Sequence, residues 1–114
     1  GAAVFNRVVI SGPRSQHAAV GLGPVGVLPG SQRRGVGTRL LEVGLELLKD
    51  LGHTRIVVIG DEKYYGKLGF RPATKYRITC EQAKTPSDVL ISELAPQSFG
   101  GVEGMAQYPP AFMA

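Results

Sequence analysis

The sequence predicts an α/β fold built on a mixed β-sheet. Three observations carry that expectation. Two β-branched runs, "AVFNRVVIS" and "TRIVVIG", read as strands. Between them stands a leucine-rich stretch with helical spacing. Strand, helix and strand follow one another within about 40 residues, the length of a βαβ crossover, which joins parallel strands.

The elements follow in order. A first strand is expected from Ala3 to Ser11, with "GPRSQH" as the turn after it. "AAVGLGPVGVL" predicts a second strand from Ala18 to Leu28. Pro24 removes a ladder donor there, and Gly21, Gly23 and Gly26 surround it, so this strand is expected to be bulged or splayed. Pro29, Gly30 and Ser31 end it. Val36, Leu40, Leu41, Gly44, Leu47, Leu48 and Leu51 then recur at helical intervals and predict one apolar helix face. Gly52 stands where a C′ glycine would close that helix.

"TRIVVIG" is almost wholly apolar, as expected of a strand buried on both faces. Asp61 as N-cap, Glu62 in the first turn and Lys67 in the last predict a short helix from Glu62 to Leu68, ended by Gly69. "KYRITC" and "DVLISEL" predict two more strands. The tail shows a turn at "FGGVEG" and a Pro-Pro stop. No internal repeat or dividing linker is visible, so residues 1–114 are read as a single domain.

Composition narrows the function. The chain has 114 residues, one cysteine and sixteen glycines, and a net charge of +4. One cysteine allows no internal disulfide, no leader pattern is visible, and no apolar run approaches the roughly 20 residues of a membrane span, so a cytoplasmic protein is expected. The charge excess is local, at Arg33, Arg34 and Arg39, rather than spread along a face with aromatic groups. That pattern disfavours nucleic acid and suits a small polyanion.

The stretch "VLPGSQRRGVGTRLLEVG" places this charge at a helix start. A helix N-terminus offers unpaired N–H groups and partial positive charge. Gly35 and Gly37 let an anion approach the backbone without meeting a Cβ. A strand, a glycine-bearing loop and a helix N-terminus together predict a phosphate or pyrophosphate cradle. It is neither a dinucleotide fingerprint, since Leu40 stands where the third glycine would be, nor a Walker loop, since no Gly-Lys-Ser/Thr follows.

These residues resemble the acetyl-CoA-binding motif of the GNAT superfamily of N-acetyltransferases. Gln32, Gly35 and Gly37 match its Gln/Arg-x-x-Gly-x-Gly/Ala pattern after the strand end marked by Val27 and Pro29. A second family motif, aromatic–Tyr–x–x–x–Gly–Phe, is matched by Tyr64, Tyr65, Gly69 and Phe70. "GLGPVGVLP", "IGDEKYYGKLGFRPA" and "YPPAF" resemble a bacterial subgroup of predicted N-acetyltransferases. The resemblance runs the length of the chain. The family's first strand and leading helices have no counterpart in it, so the fold is expected to be a GNAT-like mixed sheet, N-terminally short.

The resemblance implies transfer of an acetyl group from acetyl-CoA to an amine by direct attack in a ternary complex. Val25 and Val27 would bond the pantetheine arm through main-chain atoms. Arg33, Arg34, Gly35, Val36, Gly37 and Thr38 would wrap the pyrophosphate. Tyr65 would be the general acid that protonates the departing thiolate. Tyr64 is read as packing, Asp61 as a helix cap, His53 as a group at a helix end and Cys80 as a buried structural thiol. The general base is not legible, and no cluster has metal-ligand spacing. A different class of protein, a non-catalytic CoA-binding or assembly module, fits the same cradle. An open sheet edge left by the short front end predicts self-association.

Overall fold

The computed structural model describes residues 5–22 and 34–108. Seven strands form one sheet in the order β4-β6-β3-β2-β1-β7-β5. They are β1 (Phe5–Ser11), β2 (Gln16–Leu22), β3 (Arg55–Ile59), β4 (Arg71–Pro72), β5 (Ile78–Cys80), β6 (Val89–Glu93) and β7 (Gly104–Gln107). The helices are α1 (Arg34–Asp50) and the short α2 (Glu62–Tyr65), which runs on as a 3₁₀ turn over Gly66–Leu68. The expected strand segment from residue 23 to 28 lies outside the described residues.

The sheet is mixed, as the sequence predicts. β2 and β3, the strands on either side of α1 in sequence, pair in parallel through Val20–Ile56, Gly21–Val57 and Leu22–Val58. β5 and β7 are also parallel, and the other pairings are antiparallel. Alternation along the central strands splits the core into two layers. Val20, Leu22, Ile56, Val58 and Leu90 pack with Leu41 of α1, Tyr65 and Phe70. Val8, Ile10, Ala19, Val57 and Ile91 pack on the other face with Phe99, Val102, Ala106 and Tyr108.

Helix α1 ends as expected. Gly52 has φ +93°, its N–H donates to the Lys49 carbonyl at 3.0 Å, and the His53 N–H donates to Leu48 at 2.9 Å. Those two bonds make a Schellman cap and account for His53 through its backbone. The apolar face of α1 is wider than its buried part, which corrects the single core-facing stripe read from sequence. Leu41 is buried and Leu45 and Leu48 pack against the core, but Val43, Leu47 and Leu51 are 48%, 57% and 71% exposed. At about 100° per residue these three form a neighbouring stripe, turned away from the sheet.

Two expectations for the second half need correction. The predicted strand over "KYRITC" is extended only in its second half, Ile78–Cys80; its first two residues, Lys75 and Tyr76, end a 3₁₀ turn that begins at Ala73. Arg77 separates them in the left-handed region at φ +58°, where a strand cannot continue. The tail contributes more than a turn: Gly104–Gln107 forms β7, which bonds both β1 and β5. No helix among the described residues is long and apolar enough to cross a membrane.

Candidate acetyl-CoA site

The parallel pair β2–β3 and α1 set the site. β2 is described to Leu22, and α1 starts at Arg34. Arg34, Gly35, Val36 and Gly37 form the first turn of α1, so their N–H groups have no intrahelical partner. That turn contains no acidic residue, which leaves its partial positive charge uncompensated within the helix. Thr38 follows in the same helix. Val25, Val27 and Arg33 lie outside the described residues, as do Gln32 and Pro29.

Tyr65 reaches this region from the far end of β3. β3 ends at Ile59, and Gly60 is fixed by its N–H, which donates to the Asp88 carbonyl at 2.9 Å. Asp61 then caps α2, accepting from the Lys63 N–H at 2.9 Å. The cap directs Tyr65 back over Gly60, so closely that a Cβ on Gly60 would overlap the Tyr65 ring. Tyr64 and Phe70 meet the ring edge-on, at centroid distances of 4.9 Å and 5.6 Å. Gly69, at φ +95°, ends the turn and returns the chain so that Phe70 can make that contact. Tyr65 is only 3% exposed. Burial, and secondarily the neighbouring Tyr64, push its phenol up to about 12, so it carries its proton across the physiological range.

A groove of about 680 Å³ lies elsewhere, between β1, β2 and the C-terminal end of α1. It is lined by Gly52, His53 and Arg55, at the start of β3, whereas Tyr65 follows the end of that strand. It belongs to the opposite end of the crossover from the helix N-terminus. No three His, Cys, Asp or Glu side chains gather as a metal site among the described residues. Cys80 is buried, and burial raises its thiol, as suits a structural role.

The model of the acetyltransferase (GNAT) family matches residues 6–70, more than half of the chain, and that span takes in β1, the βαβ unit, Tyr65 and Phe70. The chain belongs to the GNAT family. This GNAT chain is 35% identical over 69 residues to the uncharacterized N-acetyltransferase YjhQ of Escherichia coli K12, covering 60% of itself and 38% of YjhQ. Among solved structures it resembles the GNAT family N-acetyltransferase YhbS from Escherichia coli in complex with CoA. The TM-score is 0.83 at 26% identity, over 98% of this chain and 61% of YhbS. A GNAT family acetyltransferase from Brucella melitensis in complex with acetyl-CoA gives 0.67 at 29% identity, over 96% of this chain and 58% of that one. The chain thus spans less than two thirds of the length of these relatives.

Tyr108 was not singled out in the sequence. It is buried, and its hydroxyl donates to the Leu22 carbonyl at 3.0 Å, at the described end of β2. The only sequence signal was its place in the "YPPAF" stretch; its partner stands 86 positions away.

Proposed function

We propose that this chain is the acetyl-CoA-binding core of an N-acetyltransferase, which transfers an acetyl group to an amine by direct attack in a ternary complex. The observation that carries it is the parallel β2–β3 pair around α1, with buried Tyr65 delivered from the end of β3. The first turn of α1 fits the pyrophosphate: Arg34, Gly35, Val36, Gly37 and Thr38 offer backbone donors, close approach and charge, with Arg33 before them. Val25 and Val27 bond the pantetheine arm through their main chain. One of their N–H groups polarises the thioester carbonyl.

In the reaction, the amine nitrogen attacks the thioester carbon and forms the new C–N bond. The C–S bond then breaks, and the sulfur leaves as a thiolate, with a reference acidity near about 8.5 for thiols. The Tyr65 phenol supplies a proton to that sulfur as charge develops. Its raised pKa guarantees that the proton is present and also lowers the drive for full transfer, so much of its help is a hydrogen bond to developing charge. The amine's proton goes to a base that no residue here is assigned to supply.

The proposal includes residues 1–114 as one domain, a cytoplasmic setting, self-association of the chain, and no nucleic-acid or membrane partner. Calorimetry with CoA tests the cradle: Gly37→Val should abolish binding while the circular dichroism spectrum is retained. Unchanged affinity in that variant would overturn the assignment. Turnover of acetyl-CoA with a panel of amines tests the reaction itself, and binding without turnover on any amine would support the non-catalytic module instead.

A further inference from the structure

We propose that Tyr108 is a positioning residue for the acetyl-CoA site: its hydroxyl holds the Leu22 carbonyl and so fixes the point at which β2 leads on toward the N-terminus of α1. The inference rests on the acetyl-CoA reading above. Among the described residues Leu22 is the last of β2, opposite Phe5 on one side and Val58 on the other. Its carbonyl is bonded by a side chain, the Tyr108 O–H at 3.0 Å. A buried carbonyl needs a partner, and here the partner comes from the far end of the chain.

The phenol is built into place. Tyr108 is 4% exposed, and its ring lies close to Gly21 of β2. A Cβ on Gly21 would overlap the Val8 Cγ2 methyl and stand 2.7 Å from Tyr108 ring atoms Cε2 and Cζ. Glycine at position 21 is therefore what admits the ring beneath the strand. Tyr108 follows β7 directly, and β7 is held on both sides, Ala106 standing opposite Ile10 of β1 and Cys80 of β5. The Tyr108 N–H also donates to Gln82 Oε1 at 3.4 Å. The hydroxyl is thus suspended from a strand that cannot drift independently of β1.

Electrostatics agree with this geometry. Burial first, then Cys80 and Tyr65, raise the Tyr108 phenol, so it stays neutral and remains a donor. Tyr108 bonds the described end of β2, and Tyr65 follows the end of the parallel β3. Eleven residues, 23 to 33, join Leu22 to α1 and include Val25 and Val27. The direction of the chain at Leu22 is a boundary condition for all of them.

Tyr108→Phe keeps the ring and deletes only the donor. In the unliganded protein, hydrogen exchange at Gly21, Leu22 and Val58 should quicken by about 10-fold, and CoA affinity measured by calorimetry should fall by about 10-fold, the scale of one net hydrogen bond. The midpoint of thermal unfolding should fall by about 4–8 °C, since one buried bond is lost, and exchange in β6 should quicken less than at Gly21, Leu22 and Val58. Tyr76→Phe, another packed tyrosine, should leave CoA affinity unchanged. If Tyr108→Phe binds CoA like the parent, or if exchange quickens throughout the sheet in step with lost stability, the positioning role is wrong. A parent protein that binds no CoA before any substitution overturns the proposed function instead, and this role with it.

Discussion

Gly60→Ala is the sharpest test of how Tyr65 is held. A methyl at position 60 would overlap Cε2 of the Tyr65 ring and stand 3.0 Å from Cδ2. The ring has little room to yield, because Tyr64 and Phe70 meet it edge-on. The backbone is also restrained, since the Gly60 N–H bonds Asp88. Overpacking of this kind costs about 1–3 kcal/mol. The unfolded chain loses freedom with alanine, which offsets about 0.4–1 kcal/mol. The net expectation is a loss of about 1–2 kcal/mol, read from the urea midpoint at constant slope. For a chain of this size, each kcal/mol corresponds to a fall of roughly 4–8 °C in unfolding temperature. Because the phenol must shift, turnover should fall by up to about 10²-fold, the effect of a misplacement near 1 Å. Tyr65→Ala opens the space the methyl needs, so Gly60→Ala should cost almost nothing in that background, giving a coupling energy typical of contacting residues. If Gly60→Ala is neutral or stabilising in the parent, or costs the same in both backgrounds, the contact does not position the ring.

Three further outcomes are expected. Tyr65→Phe should lower turnover toward the general-acid ceiling of about 10²–10⁴-fold with acetyl-CoA affinity retained, while Tyr64→Phe stays near the parent; equal or inverted effects would reject the acid assignment. Stability should be insensitive to Tyr65 below pH 10, where the phenol is neutral in both states. It should then fall as pH rises toward about 12, because the unfolded phenol ionises first and the folded one resists. Integrated over the window, the loss is about 2–3 kcal/mol at the standard 1.36 kcal/mol per unit, and urea titrations at stepped pH that stay flat to pH 12 would contradict it. Sedimentation should show a dimer or larger assembly, because among the described residues β7 covers only Val9–Ser11 of β1 and the Val43–Leu47–Leu51 stripe is exposed. Leu47→Lys should weaken that assembly, and a monomer across a wide concentration range would refute the prediction.

What the sequence made legible were elements with local causes. The apolar period of α1, the Gly52 cap, the Asp61 cap and the apolar run of β3 all depend on near neighbours, and all appear in the structure. The misread elements depend on distant ones. "GMAQ" has little strand propensity, yet it is extended because β1 and β5 bond it on both sides. "KYRITC" carries the right composition for a strand, but the left-handed Arg77 interrupts it. The same division runs through the site. Glycines and arginines at a helix start can be read from spacing alone, whereas Tyr65 enters the site through the resemblance to a family motif shared with Tyr64, Gly69 and Phe70. That Tyr108 meets Leu22 depends on how both ends of the chain enter one sheet, which no local pattern encodes.

The place of β7 in the strand order has a consequence for how the protein is made. β1 is synthesised well before β7, its partner opposite Val9–Ser11, with Val9 facing Gln107. Sequence separation of that kind slows folding, because a long loop must close before the pairing rewards it. On the ribosome, β1 and β2 can form their hairpin early, but one side of that hairpin waits until β7 has emerged. Translation pauses or truncations before residue 104 would leave nascent chains with an unpaired β1 and without the Tyr108 hydroxyl. Such chains are candidates for chaperone capture and degradation rather than for partial activity.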